Sequence, residues 1–212
     1  MQLSRLICNP FEENIYVLWS DVTHHAVIID PGMMRATERE MLANFIAERD
    51  LEVQGVLLTH CHVDHAASAR WAATSFGVKV CASPAEAPLA QAIALQAQRF
   101  GLKLDFQPLV IDKELREGDV INLDEVAIQV LDTPGHTPGG LTFYIPSMAL
   151  AMTGDSIFQG SVGRTDLPGG NMETLLDSIR RKILTLPANT TLAPGHGPAT
   201  TVADEVRCNP YL

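Results

Sequence analysis

Short apolar runs and amphipathic stretches alternate through the first half of the chain. Residues 14–20 and 25–30 are β-branched or aromatic runs separated by a polar turn, which predicts a hairpin. Pro31-Gly32 ends the second of these strands. Met41, Leu42, Phe45 and Ile46 then fall on one stripe, predicting a helix over residues 37–49. Residues 56–59 have the short, apolar character of a strand buried within a sheet. The alanine-rich segments 66–76 and 85–98 predict helices.

The β pattern restarts in the second half. Residues 120–123, 126–131, 141–145 and 150–153 are strand candidates with turn residues between them. Met172, Leu175, Leu176, Ile179 and Ile183 share one face of a helix over 172–184, and residues 190–192 make a final strand. Each half therefore runs strands first and helix afterwards. That order predicts a four-layer α/β architecture: an αββα sandwich of two packed β-sheets with helices on the outside. The expected organisation is one domain over residues 1–212, built of two similar halves.

Composition supports a packed chain, since 46% hydrophobic against 19% charged residues supplies a sizeable core. The net charge of -10 disfavours a nucleic-acid partner, which needs a basic face. Bound divalent metals would reverse that sign locally, so an anionic small molecule remains compatible. No apolar run approaches the roughly 20 residues that span a bilayer. The start, Met1-Gln2-Leu3-Ser4-Arg5, lacks the basic-then-apolar pattern of a secretory signal. Cys8, Cys61, Cys81 and Cys208 form no CxxC pair, and a cytoplasmic location is expected. Cys8-Asn9-Pro10 recurs as Cys208-Asn209-Pro210; this reads as coincidence, with a Cys8–Cys208 disulfide as the alternative.

The sharpest feature is Thr59-His60-Cys61-His62-Val63-Asp64-His65, on a loop between a strand and a helix. Its four potential ligands, His60, His62, Asp64 and His65, suit zinc, iron or manganese. Three imidazoles on one loop have no packing purpose. Pro134-Gly135-His136-Thr137-Pro138-Gly139, Thr153-Gly154-Asp155 and Ala193-Pro194-Gly195-His196-Gly197-Pro198 each follow a predicted strand. Each displays one ligand (His136, Asp155, His196) in backbone that glycine lets approach closely. Seven ligands are enough for two metals that share a carboxylate.

The HxHxDH motif, followed by single His, Asp and His at strand ends, resembles the metallo-β-lactamase superfamily. The resemblance spans nearly the whole chain. It implies that His60, His62 and His136 bind one metal, that Asp64, His65 and His196 bind a second, and that Asp155 bridges both. Zinc is the metal implied first, with iron or manganese as alternatives. Within the superfamily the pattern is most similar to the short, single-domain bacterial glyoxalase II (hydroxyacylglutathione hydrolase) type. That implies hydrolysis of S-lactoylglutathione or a related hydroxyacyl-glutathione thioester by a metal-bound hydroxide that Asp64 orients. Gly163-Arg164-Thr165-Asp166 adds to the likeness, because glyoxalase II carries a basic, glutathione-contacting residue at the position of Arg164. The plainer reading of Arg164 is a loop salt bridge with Asp166. Two departures are expected: there is no C-terminal helical domain of the kind the larger glyoxalase II enzymes carry, and Gly195-His196-Gly197-Pro198 stands where the family usually has Gly-His-Glu-Tyr.

Three rivals share some of these features. A persulfide dioxygenase of the same fold uses one iron at His60, His62, His136 and Asp155. A non-catalytic metal-binding protein and a β-lactamase are the others. Cys61 reads as a small tolerated loop residue, the alternative being oxidation or stray metal binding. His24 and His25 fall at a hairpin turn and are expected in solvent. Trp19, Phe45, Trp71 and Phe76 read as core, and Phe100, Leu102 and Phe106 as a packed loop, the alternative being a substrate mouth.

Overall fold

The computed structural model describes residues 1–102 and 108–212, and the contacts divide them into two compact units, Met1–Glu114 and Leu115–Leu212. The first unit opens with an antiparallel meander of β1 (Gln2–Cys8), β2 (Glu13–Trp19) and β3 (His25–Ile29). Three parallel strands follow: β4 (Glu52–Leu57), β5 (Val80–Ala82) and β6 (Lys113–Glu114), giving a six-stranded sheet in sequence order. Parallel neighbours need crossover connections. These are α1 (Ala36–Glu48), then the pair α2 (Val63–Ala66) and α3 (Ala69–Phe76), then α4 (Ala87–Gln91) and α5 (Ile93–Arg99).

The reasons for these helices are local. The Glu38 carboxylate accepts the Met34 and Arg35 N–H groups at the start of α1, satisfying donors that the first turn cannot. Leu42 and Ile46 then bury the inner stripe of α1 beside Ile15, Val17, Ile28 and Val53. A second apolar cluster forms under α3, where Ala69, Ala72 and Ala73 lie against Val56, Leu58 and Val80. Alanine faces let this helix sit close to the sheet. Gly77 ends α3 in the left-handed conformation, at φ 69°. Trp19, Phe45, Trp71 and Phe76 all pack on these clusters, as expected of core residues. Phe100 is exposed but meets Phe11 edge-on, and Leu102 packs on the second cluster, whereas Phe106 lies outside the described residues. His24 is exposed in its turn at φ 63°; His25 is half-buried instead of solvated.

The second unit runs β7 (Val120–Leu123), β8 (Val126–Asp132), β9 (Leu141–Ile145) and β10 (Leu150–Gly154) as an antiparallel meander. A small hairpin, β11 (Ile157–Phe158) and β12 (Ser161–Val162), comes next. Then α6 (Met172–Ser178) leads to β13 (Thr191–Pro194), parallel to β10, and β14 (Thr200–Thr201) closes the sheet before α7 (Val202–Cys208). Leu175, Ile179, Ile183, Leu192 and Val202 make its core.

Several predicted boundaries move. The predicted strand 56–59 is only the inner end of β4, because Thr59 has already left the ladder. The predicted helix 66–76 begins earlier and breaks at Ala67-Ser68, where the Ser68 hydroxyl donates to the Met33 carbonyl at 2.6 Å. Residues 85–98 split into α4 and α5, and the helix over 172–184 continues past Ser178 as a π-turn. The edge strand β1, the short β5 and β6, and α7 carry too little periodicity to be read from sequence. All four cysteines are free thiols, which removes the Cys8–Cys208 disulfide. Among the described residues no helix is long and apolar enough to cross a membrane.

Candidate metal centre

The His-rich loop leaves the end of β4 and enters α2, and its backbone is held by two buried polar side chains. The Glu86 carboxylate accepts the Cys61 N–H at 2.7 Å. The Gln96 amide accepts the Val63 N–H at 3.0 Å and donates to the carbonyls of Cys61 and Leu89. Buried backbone must be paired, and here the pairing comes from helices that the loop itself does not touch in sequence. Cys61 is fully buried in the apolar cluster with Val63 and Ala69, so it is a core residue and not an exposed, oxidisable one. Its thiol pKa is pushed well up, by burial first and by Glu86 second.

His60 and His62 offer ring nitrogens within 4.8 Å of one another, as do Asp64 and His65 between carboxylate and ring. Behind them stands Asp30, which sequence reasoning did not single out. It sits at the end of β3 at φ 51° and is buried. Its Oδ1 accepts the Thr59 N–H at 2.7 Å, and its Oδ2 accepts both the Thr59 hydroxyl at 2.5 Å and His65 Nδ1–H at 3.0 Å. Because the only Thr59 hydroxyl proton goes to Asp30, the 3.1 Å contact between Thr59 Oγ1 and His60 Nδ1 has the ring as donor. One carboxylate thus sets the tautomer of two imidazoles, with both Nε2 atoms unprotonated and able to ligate a metal. Asp30 groups with His60 and His65 as a possible metal set, but three accepted hydrogen bonds already occupy its oxygens. Those bonds suit Asp30 to orient the two imidazoles.

Glu13 lies one step further back, fully buried, with Oε1 4.0 Å from His65 Nδ1. Burial holds its carboxyl well above the usual range; His65 and the Cys8 hydrogen bond oppose that shift, while Asp30 and Asp64 add to it. The Cys8 thiol, itself pushed up by burial, donates to Glu13 Oε2 at 3.1 Å.

In the second unit the three remaining candidate ligands meet around one carboxylate. Asp155, at the end of β10, places Oδ2 3.6 Å from His136 Nε2 and 3.7 Å from His196 Nε2. His136 donates Nδ1–H to the Arg164 carbonyl at 2.7 Å, which again leaves Nε2 unprotonated and able to ligate. The Arg164 guanidinium is turned elsewhere: both of its 2.7 Å bonds go to the exposed Asp166 carboxylate. Those bonds hold the Asp166 carboxyl down at about 2, so the pair persists at neutral pH. Gly163 has no space for a side chain, since a Cβ would overlap the Asp155 carbonyl and come within 3.2 Å of His136 Nδ1. We expect Gly163→Ala to lower the melting temperature and to weaken metal binding together, because the strain lands on both ligand-bearing segments. A variant with wild-type metal affinity by chelator competition would show that the segment can give way.

The donor chemistry suits a divalent metal of borderline hardness. It offers imidazole and carboxylate and no thiolate. Three imidazole rings with Nδ1 committed to a backbone or side-chain acceptor are what metal-ligating histidines need. Asp30 could have been found in the sequence by its Asp30-Pro31-Gly32 setting, a carboxylate directly after a strand like the other ligands. Glu86, Gln96 and the Arg164 carbonyl left no such signal.

The metallo-β-lactamase superfamily profile matches residues 8–196, from the segment before β2 through the last histidine of the set. The chain belongs to this superfamily. Hydroxyacylglutathione hydrolase GloC of Haemophilus influenzae is 39% identical over 100% of this chain and 98% of its own length. The BLEG-1 B3 metallo-β-lactamase structure aligns at TM-score 0.88 with 33% identity, covering 100% of this chain and 99% of that one. A di-iron-bound form of TTHA1623 aligns at TM-score 0.85 with 36% identity, covering 99% and 100%. The fold is the metallo-β-lactamase α/β sandwich, and the protein is a metallohydrolase of that superfamily with His/Asp metal-binding groups.

Proposed function

We propose that the protein hydrolyses hydroxyacyl-glutathione thioesters, S-lactoylglutathione first among them, at a centre of two divalent metals. The observation that carries this is the arrangement of Asp155 between His136 and His196, which suits one carboxylate shared by two ions. His60, His62 and His136 would hold one metal, Asp64, His65 and His196 the other, with Asp155 common to both. The full-length likeness to a protein named as a hydroxyacylglutathione hydrolase supports the substrate class. Zinc is our first assignment; the di-iron-bound relative supports iron as the alternative.

When bound, such metals would lower the pKa of a coordinated water toward about 7 and polarise a carbonyl oxygen. The chain's own residues do the rest. Asp30 keeps His60 and His65 in the ligating tautomer, and the Arg164 carbonyl does the same for His136. Asp64, half-buried in the first turn of α2, offers a carboxylate that orients the attacking water. The departing thiolate needs no general acid, since a thiol pKa near about 8.5 makes it a competent leaving group at neutral pH. Arg164 is exposed beside this centre and is our candidate for a glutathione carboxylate, which would exchange for Asp166.

The test is metal analysis by mass spectrometry and S-lactoylglutathione hydrolysis on one preparation, with Arg164→Ala alongside. Near two metals per chain with turnover, and a raised KM in the variant at unchanged kcat, is the expected result. One iron per chain, no turnover, and oxygen uptake with glutathione persulfide would move the assignment to a dioxygenase. The structural likeness to a B3 enzyme favours a second reading, β-lactam hydrolysis, and nitrocefin turnover without thioester turnover would establish it.

A further inference from the structure

The Cys-Asn-Pro triplet occurs twice, and at both places the asparagine side chain accepts from the backbone two residues on and donates both amide hydrogens to other residues. Asn9 Oδ1 accepts the Phe11 N–H at 2.9 Å, and Asn209 Oδ1 accepts the Tyr211 N–H at 3.1 Å. Their backbone carbonyls accept from Glu12 and Leu212, three residues on. Both amide hydrogens are also used in each case. Asn9 Nδ2 donates to the Gly32 carbonyl at 2.9 Å and the Asp64 carbonyl at 2.8 Å. Asn209 Nδ2 donates to the Ser161 carbonyl at 3.0 Å and to Glu205 Oε2 at 2.8 Å. The backbones differ, φ being 55° at Asn9 and −74° at Asn209, so the shared feature is the side chain's use and not one copied turn. The cysteines are used differently too: Cys8 is buried against Glu13 and Cys208 is exposed.

We propose that Asn9 and Asn209 are positioning residues for the metal centre, each clamping the segment that carries or orients a ligand. The proposal rests on the reading of Asp64, His65 and His136 as ligands. At Asn9 the physical need is plain. The Asp64 carbonyl crosses so close to Gly32 that a Cβ there would overlap it. Two carbonyl oxygens brought together repel, and an NH₂ between them, with one hydrogen for each, turns the repulsion into two bonds. This fixes the backbone of Asp64, and with it the first turn of α2 that presents Asp64 and His65. The Glu38 carboxylate holds the Asn9 N–H at 3.0 Å, which anchors the clamp to α1.

At Asn209 the clamp acts through β12. Asn209 and Glu205 together hold Gly160 and Ser161, with Glu205 Oε2 also accepting the Gly160 N–H at 2.9 Å and Oε1 accepting the Thr200 hydroxyl at 2.6 Å. Two residues beyond Ser161 is Gly163, packed on the Asp155 carbonyl, and then Arg164, whose carbonyl orients His136. A buried, fully paired network of this kind transmits a displacement instead of absorbing it.

Asparagine-to-aspartate changes separate positioning from turn formation, because aspartate is isosteric and keeps the Oδ acceptor while losing both donors. We would measure zinc affinity by chelator competition on the full-length protein for Asn9→Asp, Asn9→Ala, Asn209→Asp and Asn209→Ala, with thermal unfolding of each metal-free variant. The expected result is zinc binding weakened by about 10–100-fold, the range for outer-sphere partners, in aspartate and alanine variants alike. The metal-free variants should still unfold cooperatively. Alanine carries the test where the aspartate variant does not fold. Aspartate variants that bind zinc like the wild type, with only the alanine variants defective, would overturn the proposal and leave two turns. Unchanged affinity in every variant, with only unfolding affected, overturns it equally. A wild-type protein that binds no zinc, iron or manganese would instead overturn the reading of the centre on which this rests.

Discussion

Asp155→Ala should purify with most of its metal missing and with hydrolysis abolished. In the second unit this carboxylate is the common neighbour of both histidines, 3.6 Å from His136 Nε2 and 3.7 Å from His196 Nε2. Each of those rings can contribute one neutral nitrogen. Asp155 brings negative charge to both histidines, so its loss would remove a candidate ligand and also charge that offsets a divalent ion. Changing an outer-sphere partner of a metal ligand costs about 10–100-fold in affinity, and removing a shared ligand should exceed that for both ions. The backbone should hold, since the Asp155 segment is packed against Gly163 by its carbonyl and not by its side chain. Metal content by mass spectrometry, with far-ultraviolet circular dichroism to confirm the fold, checks this. A folded variant with full occupancy would show that Asp155 does not bridge.

The second large effect is expected at a residue that binds no metal. Asp30→Asn keeps the shape of the side chain and suits the local backbone, because asparagine is among the few residues that tolerate a φ of 51°. What changes is the bonding. An amide in place of the carboxylate can still accept the Thr59 N–H through its oxygen, but its NH₂ then faces the Thr59 hydroxyl and His65 Nδ1–H, both donors. A buried donor left without an acceptor costs roughly 1–3 kcal/mol, and two are at stake. The protein relieves this by shifting the His65 proton to Nε2 and by turning the Thr59 hydroxyl toward His60, which reverses that ring as well. Both changes put a hydrogen where a metal should be. We expect metal affinity to fall about 10–100-fold with a smaller loss of thermal stability, read by chelator competition and calorimetry. Wild-type affinity in a stably folded Asp30→Asn variant would mean that the tautomers are held by something else.

Much of this protein was legible without coordinates. Ligands at strand ends announce themselves because imidazole and carboxylate have no packing use beside glycine and proline, so His60, His62, Asp64, His65, His136, Asp155 and His196 stood out by residue type alone. Strong periodicity placed α1 and the meander of the second unit within a residue or so. Weak periodicity hid β1, which is an edge strand with three of its seven positions exposed, and β5 and β6, which are too short to show a period. The helix breaks at Ser68 and Ala92 were also invisible, since alanine-rich sequence has no local reason to stop.

By itself, then, the sequence determined the candidate ligands, the order of strands and helices, and the membership of a hydrolase superfamily that uses metals. These depend on residue type and on spacing within a dozen positions. The tertiary structure alone decided which atoms of those ligands are available. Asp30 reaches Thr59 and His65 across 29 and 35 residues, Gln96 reaches Cys61 across 35, and Asn209 reaches Ser161 across 48. Bonds of that sequence separation have no period and no motif, because a hydrogen bond is sensitive to a few tenths of an ångström that only the packed chain sets. Arg164 shows the difference most plainly. Its side chain drew notice as a charge, while in the folded chain its backbone carbonyl, which every residue possesses, holds His136 in place.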